Sequence, residues 1–69
     1  MTTRHELIVL LQELGDEAGE LRFGQLVANL ATLARGVDVA AIWDAEDEEL
    51  IEAARRLLAQ YQDRNQNVV

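Results

Sequence analysis

The 69-residue chain contains no cysteine, so it can build no disulfide framework, no thiol chemistry and no cysteine-based zinc site. It has no lysine and no serine, which removes a catalytic amine, a serine nucleophile and the Lys-Ser/Thr pair of a phosphate-binding loop. It has no proline, so nothing in the covalent chain breaks a helix from within. His5 is the one histidine and has no second ligand at metal-binding spacing. Large rings are limited to Phe23, Trp43 and Tyr61. Basic residues are few: six arginines against 13 acids give a formal charge of −7. Such a chain lacks the basic face needed to displace counterions from nucleic acid or to settle on anionic lipid. Its acidity suits a basic protein partner, or serves solubility alone. The exclusive use of arginine fits the codon bias of a GC-rich genome.

Long apolar runs are also missing. The longest, Leu7-Ile8-Val9-Leu10-Leu11, lies between Glu6 and Gln12. It is too short for a secretory signal and far below the ~20 residues that span a bilayer. A cytoplasmic location is expected.

What is present is folded-domain material, 49% apolar and 28% charged. Its periodicity is helical throughout. Thr3 and Glu6 have capping-box spacing and open a helix over residues 4–14, with Leu7, Ile8, Leu10, Leu11 and Leu14 on one arc and Val9 pointing away from it. Gly15 is expected to close that helix, and residues 15–20 form a polar turn. A second helix is expected over 21–35, closed by Gly36, with Phe23, Leu26, Val27, Leu30, Leu33 and Ala34 facing the core. Residues 36–43 read either as a short helical turn capped by Asp38 or as extended chain, with Val39, Ile42 and Trp43 packed inward to escape water. Asp44 is expected to cap a third helix whose first turn carries Glu46, Asp47, Glu48 and Glu49, where the helix dipole favours negative charge. Leu50, Ile51, Ala54, Leu57, Leu58 and Tyr61 form its apolar stripe, and Glu52 and Arg56 have ion-pair spacing. Residues 63–69 read as a frayed polar tail. The expectation is an all-α protein, a small three-helix bundle forming one domain over 1–62, with a short extra helical turn at 38–43. A chain this short is marginal as an isolated core, and homodimerisation is the simplest way to bury more surface.

The second helix has more than one organised side. Arg22, Gln25 and Asn29 follow one another at three- and four-residue spacing and form a polar ridge, while Gly24, Ala28 and Ala31 form a strip of small residues. A glycine inside a helix costs up to ~1 kcal/mol against alanine, so Gly24 points to close approach by another backbone. Arg22, Gly24, Gln25, Ala28 and Asn29, with Val9 on the first helix, are the candidate partner-binding residues. The competing reading makes the second helix the centre of the bundle, its ridge tying down loops and Arg22 pairing with Asp44 or Asp47.

The string Arg22-Phe23-Gly24-Gln25-Leu26 with Asn29, followed by a connection and by Asp44, Glu46, Asp47, Glu48, Glu49 and Leu50, resembles a pattern in short bacterial helical proteins of unknown function. In those the first string often reads Arg-Leu-Gly-Gln-Leu. The resemblance covers residues 4–60; it implies a bacterial origin and carries no activity with it.

No reaction centre emerges. The acids at 44–49 occupy successive positions at a helix start and point in different directions, unlike the oxygen ligands of a calcium loop wrapped around a glycine bend. Thr2, Thr3 and Thr32 have no base at hand beyond His5. No metal, cofactor or catalysis is expected. The sequence instead suggests a small acidic protein–protein interaction module, regulatory or accessory, with a protein partner that could be basic. One alternative is an antitoxin or immunity-type inhibitor of a basic toxin. A helix-turn-helix DNA-binding regulator fits less well, because its recognition helix would bring four acids towards phosphates.

Overall fold

The computed structural model describes residues 2–66, with side chains described to residue 64. It is all-α: α1 (Thr3–Glu17), α2 (Phe23–Arg35), the single-turn α3 (Ala41–Asp44) and α4 (Asp47–Gln66). Three long helices and one extra turn match the expected architecture. The turn sits at the late end of the 38–43 window. No helix among the described residues is long and apolar enough to cross a membrane.

α4 is the central element, lying along α1 over most of its length and along α2 over less, while α1 and α2 barely meet. The competing expectation of α2 as the centre of the bundle is therefore corrected. Small residues explain the change. Ala53 and Ala54 are both 0% exposed, and side chains this short let two helices close on α4 from neighbouring directions. Around them Leu14, Leu26, Leu30, Leu57 and Leu58 form the core, with Leu10, Leu11, Leu21, Leu33, Ala34, Leu50 and Tyr61 half-buried at its edge. The apolar arc of α4 is thus wider than the expected stripe, because it serves two partners. Among the described residues no polar or charged side chain is buried.

Helix ends account for most of the shifted boundaries. Thr2, not Thr3, caps α1: its hydroxyl accepts the His5 N–H at 3.1 Å. That leaves Glu6 free to pair with Arg55 on α4. α1 also runs through Gly15 to Glu17, because another turn brings Ala18 into the core one turn beyond the fully buried Leu14. The Ala18 N–H bonds the Leu14 carbonyl at 2.9 Å, and the Leu21 N–H closes a turn on the Ala18 carbonyl at 3.0 Å. Leu21 is used in that turn, so α2 starts at Phe23. α4 continues past Gln62 to Gln66, with Arg64 paired to Glu20 at 3.2 Å and held 5.2 Å from the Tyr61 ring centre. The remainder of the expected tail, 67–69, lies outside the described residues. Glu52 and Arg56 form no ion pair. The arginine heads are instead spent between elements: Arg4 on Asp47 at 2.8 Å, Arg35 on Glu49 at 3.0 Å, and Arg55 on Glu6.

Gly36 closes α2 as expected, its N–H reaching the Thr32 carbonyl at 2.7 Å. Its φ of 90° and ψ of −176° fall in a region essentially restricted to glycine. Gly15 lies within a helix, and an added Cβ there would meet nothing within 4 Å. The two glycines should respond oppositely in urea unfolding. Gly36→Ala is expected to destabilise by about 1–3 kcal/mol, and Gly15→Ala to stabilise by up to ~1 kcal/mol. Equal effects of one sign would contradict the assigned helix ends.

Candidate interaction surface

The connection after Gly36 does the opposite of what its composition suggests. Asp38 does anchor it: its carboxylate accepts the Ala40 N–H at 2.9 Å and its carbonyl accepts the Ala41 N–H at 2.9 Å, an Asx turn leading into α3. Yet Val39 is 101% exposed, Trp43 88% and Ile42 56%. The inward packing expected for these three residues is not observed. A single helical turn can present only one side chain squarely to its neighbour, and here that residue is Ala41, buried against α2 together with Ala31. At ~100° per residue, Ile42 and Trp43 then turn progressively away. Phe23 also departs from expectation: at the first turn of α2 it is 64% exposed and takes no part in the core.

Between α2 and α3 lies a cleft of about 190 Å³, lined by Ala28, Ala31, Thr32, Asp38, Val39, Ala41 and Ile42. The small strip of α2 is therefore covered at one end only. Ala31 lies under α3, Ala28 is exposed at the cleft wall, and Gly24 is bare, with nothing within 4 Å of a Cβ placed there. The close approach that Gly24 suggested is not made by its own chain.

The polar ridge divides. Gln25 accepts the Arg22 N–H at 2.9 Å through its side-chain oxygen and so completes the start of α2. Arg22 is the residue before the helix; its guanidinium has no acceptor to offer in return and forms no ion pair among the described residues. The expected pairing of Arg22 with Asp44 or Asp47 is not formed, since Arg4 takes Asp47. Asn29 is exposed on the same helix. Val9 is half-buried on α1, while Ile8, expected in the core, is more than half exposed. The structure thus brings Ala28 together with Ala31 and α3, and leaves Val9 on another helix. Sequence reasoning missed Val39, Ile42 and Trp43 as surface residues. The signal available was the shortness of the segment: an eight-residue connection between two helices has too few residues to bury several large side chains.

Glu49 holds this surface at its base. It accepts both the Arg35 guanidinium at the end of α2 and the Glu46 N–H before α4, at 3.2 Å, and so clasps the two ends of the connection that carries α3. Asp44, expected to cap the long helix, instead ends α3, and Glu49 reaching back to Glu46 is what ties down the start of α4. A second depression of about 420 Å³ lies between α1 and α4, lined by Thr3, Glu6, Glu48, Ile51, Glu52 and Arg55. Its Glu6 is engaged by Arg55, and no three acid or histidine side chains among the described residues converge as a metal would require. No family model, curated protein or solved structure matches this chain, so the surface is interpreted from its geometry.

The backbone N–H of Glu46, and then Arg35, hold the Glu49 carboxyl below its ordinary pKa. A carboxyl depressed in the folded state contributes stability that is present above its unfolded value, about 4.5, and lost as pH falls through the folded value. Urea midpoints measured at neutral pH and again below that value should therefore fall less for Glu49→Gln than for the parent chain. An identical acid dependence in the two would contradict the clasp.

Proposed function

We propose that this chain is a non-catalytic protein–protein interaction module acting in the cytoplasm in a regulatory or accessory role, and that it docks through the α2–α3 face. One observation carries this reading: four apolar side chains, Val37, Val39, Ile42 and Trp43, stand in water on a segment that is hydrogen-bonded in place. A floppy connection would expose apolar groups incidentally. Here the Asx turn at Asp38, the helical turn of α3 and the Glu49 clasp fix their direction. Scattered exposed apolar residues need no explanation, but a grouped set beside an open cleft is the usual mark of a contact site. Tryptophan in particular is enriched among residues that dominate binding energy. Gly24 and Ala28 extend the same reading along α2, since helix backbone left bare of bulk admits a close neighbour. Asn29 and the guanidinium of Arg22 are available as polar rim groups, whereas Gln25 is already committed to the helix start.

The charge pattern separates this reading from inhibition of a basic toxin. α2 carries no acid; on the docking face the acids are Asp44 on α3 and Asp38 at the cleft, and most of the others lie on α1 and α4. A strongly basic partner would be drawn mainly to α1 and α4, where nine of the 13 acids lie.

Photo-crosslinking in the native host tests the surface without assuming the partner. A photoreactive phenylalanine analogue in place of Trp43 should give covalent protein adducts that the same analogue in place of Gln60, exposed on α4, does not give. Absence of adducts at 43, or equal adducts at both positions, would contradict the proposal.

A further inference from the structure

We propose that residues 36–45 form a strap that leaves α2 as one unit while the three long helices stay folded. Its attachment is thin. α3 approaches no other helix than α2 among the described residues. Ala41 is the one buried residue of the segment, and a methyl group removes little apolar surface from water. Val37, Val39, Ile42 and Trp43 are all exposed, so the large apolar side chains of the strap add little to its hold.

The hydrogen bonds of the segment point the same way. The Asp38 N–H bonds the Gly36 carbonyl at 3.0 Å, and the Ala41 N–H bonds the Asp38 carbonyl at 2.9 Å. The Asp44 N–H reaches the Ala40 carbonyl at 2.9 Å, the Ala45 N–H the Ala41 carbonyl at 3.0 Å, and the Ala40 N–H the Asp38 carboxylate at 2.9 Å. All of them begin and end inside the strap. Among the described residues, no hydrogen bond or ion pair joins 37–45 to the rest of the chain. Lifting the strap therefore breaks no polar contact with the core.

Both ends of the strap are pivots. Gly36, at a φ of 90°, and the extended Ala45 each interrupt helical backbone, so movement between them is not passed along α2 or α4. The Arg35–Glu49 pair and the bond from the Glu46 N–H to Glu49 lie just outside the segment and survive its opening. They keep the roots of the loop together, which limits the opening to the strap itself. A single helical turn cannot stand alone in water, because its few hydrogen bonds do not offset the cost of nucleation. Off α2, α3 melts, and its N–H groups are freed together. The apolar residues of the proposed docking face thus ride on an element that can be reshaped without unfolding the core, and its release uncovers Ala31. The strap is a property of the chain itself and stands whether or not that face docks a partner.

Native-state hydrogen exchange of the full chain, followed residue by residue by NMR in a series of low urea concentrations, reads this opening directly. The amides of Ala40, Ala41, Asp44 and Ala45 should share one protection of about 10- to 100-fold, nearly independent of urea. Amides in the middle of the long helices, such as Leu30 and Ala54, should be protected roughly 10³-fold or more and lose protection steeply with urea. Ile51→Val, in the core and away from α3, should speed exchange at Leu30 and Ala54 by about 2- to 10-fold and leave the strap amides unchanged. Strap amides that match Leu30 and Ala54 in rate and urea dependence overturn the inference, since the strap would then open only with the whole fold. Protections that scatter among the four strap amides, or that follow Ile51→Val, overturn it as well. Failure of the crosslink at position 43 would remove the docking reading and leave these expectations as they are.

Discussion

The contact on which the rest of this structure depends is the closure of two helices on the alanine pair at 53 and 54. With no side chain beyond a methyl group at either position, α4 can take Leu14 of α1 and Leu26 and Leu30 of α2 into one core. The core is entirely apolar, so its cohesion comes from packing and burial. The four arginine–carboxylate pairs between elements are exposed and set direction more than stability. The price of placing α4 at the centre is that the outer side of α2 has only α3 to cover it. One helical turn covers Ala31 and no more. The molecule is 18 Å across its thinnest dimension, less than two full helix diameters, and such a slab leaves broad helix faces open.

The helices were legible because they rest on local chemistry: leucines at helical spacing, a threonine before the first turn, acids opening α4, and Gly36 ending α2. Errors arose where two local signals competed or where tertiary burial overrode one of them. Thr2 and Thr3 are equally able to cap, and Glu6 is drawn to Arg55 rather than to the helix start. Gly15 looks like a stop, yet Ala18 gains full burial if the helix continues. The separation of α3 from α4 follows from the extended conformation at Ala45, at a position where composition alone reads as helix.

The candidate surface was only partly visible in the sequence. Ala28 and Gly24 stood out as small residues on a helix otherwise rich in leucine, and the structure leaves both open. Val39, Ile42 and Trp43 were read as core because apolar side chains generally find cover. Periodicity reports the direction of a side chain relative to its own helix, but it cannot report whether anything lies in that direction. For a segment of one turn, the choice of Ala41 as the inward residue fixes all the others, and that choice belongs to packing against Ala31. Charge adds a further pattern: acids crowd α1 and α4 and are missing from α2, while Asp38 and Asp44 flank the exposed apolar group.

The account stands or falls on Trp43 projecting outward from an ordered α3. Quenching of its fluorescence by acrylamide and by iodide, at a concentration where sedimentation shows a monomer, reads that exposure directly. The account predicts quenching close to that of free indole, together with slow rotation of the ring measured by fluorescence anisotropy decay, since its backbone is held. A blue-shifted, poorly quenched tryptophan in the monomer would mean that the chain buries the residue itself, and would contradict the surface described here.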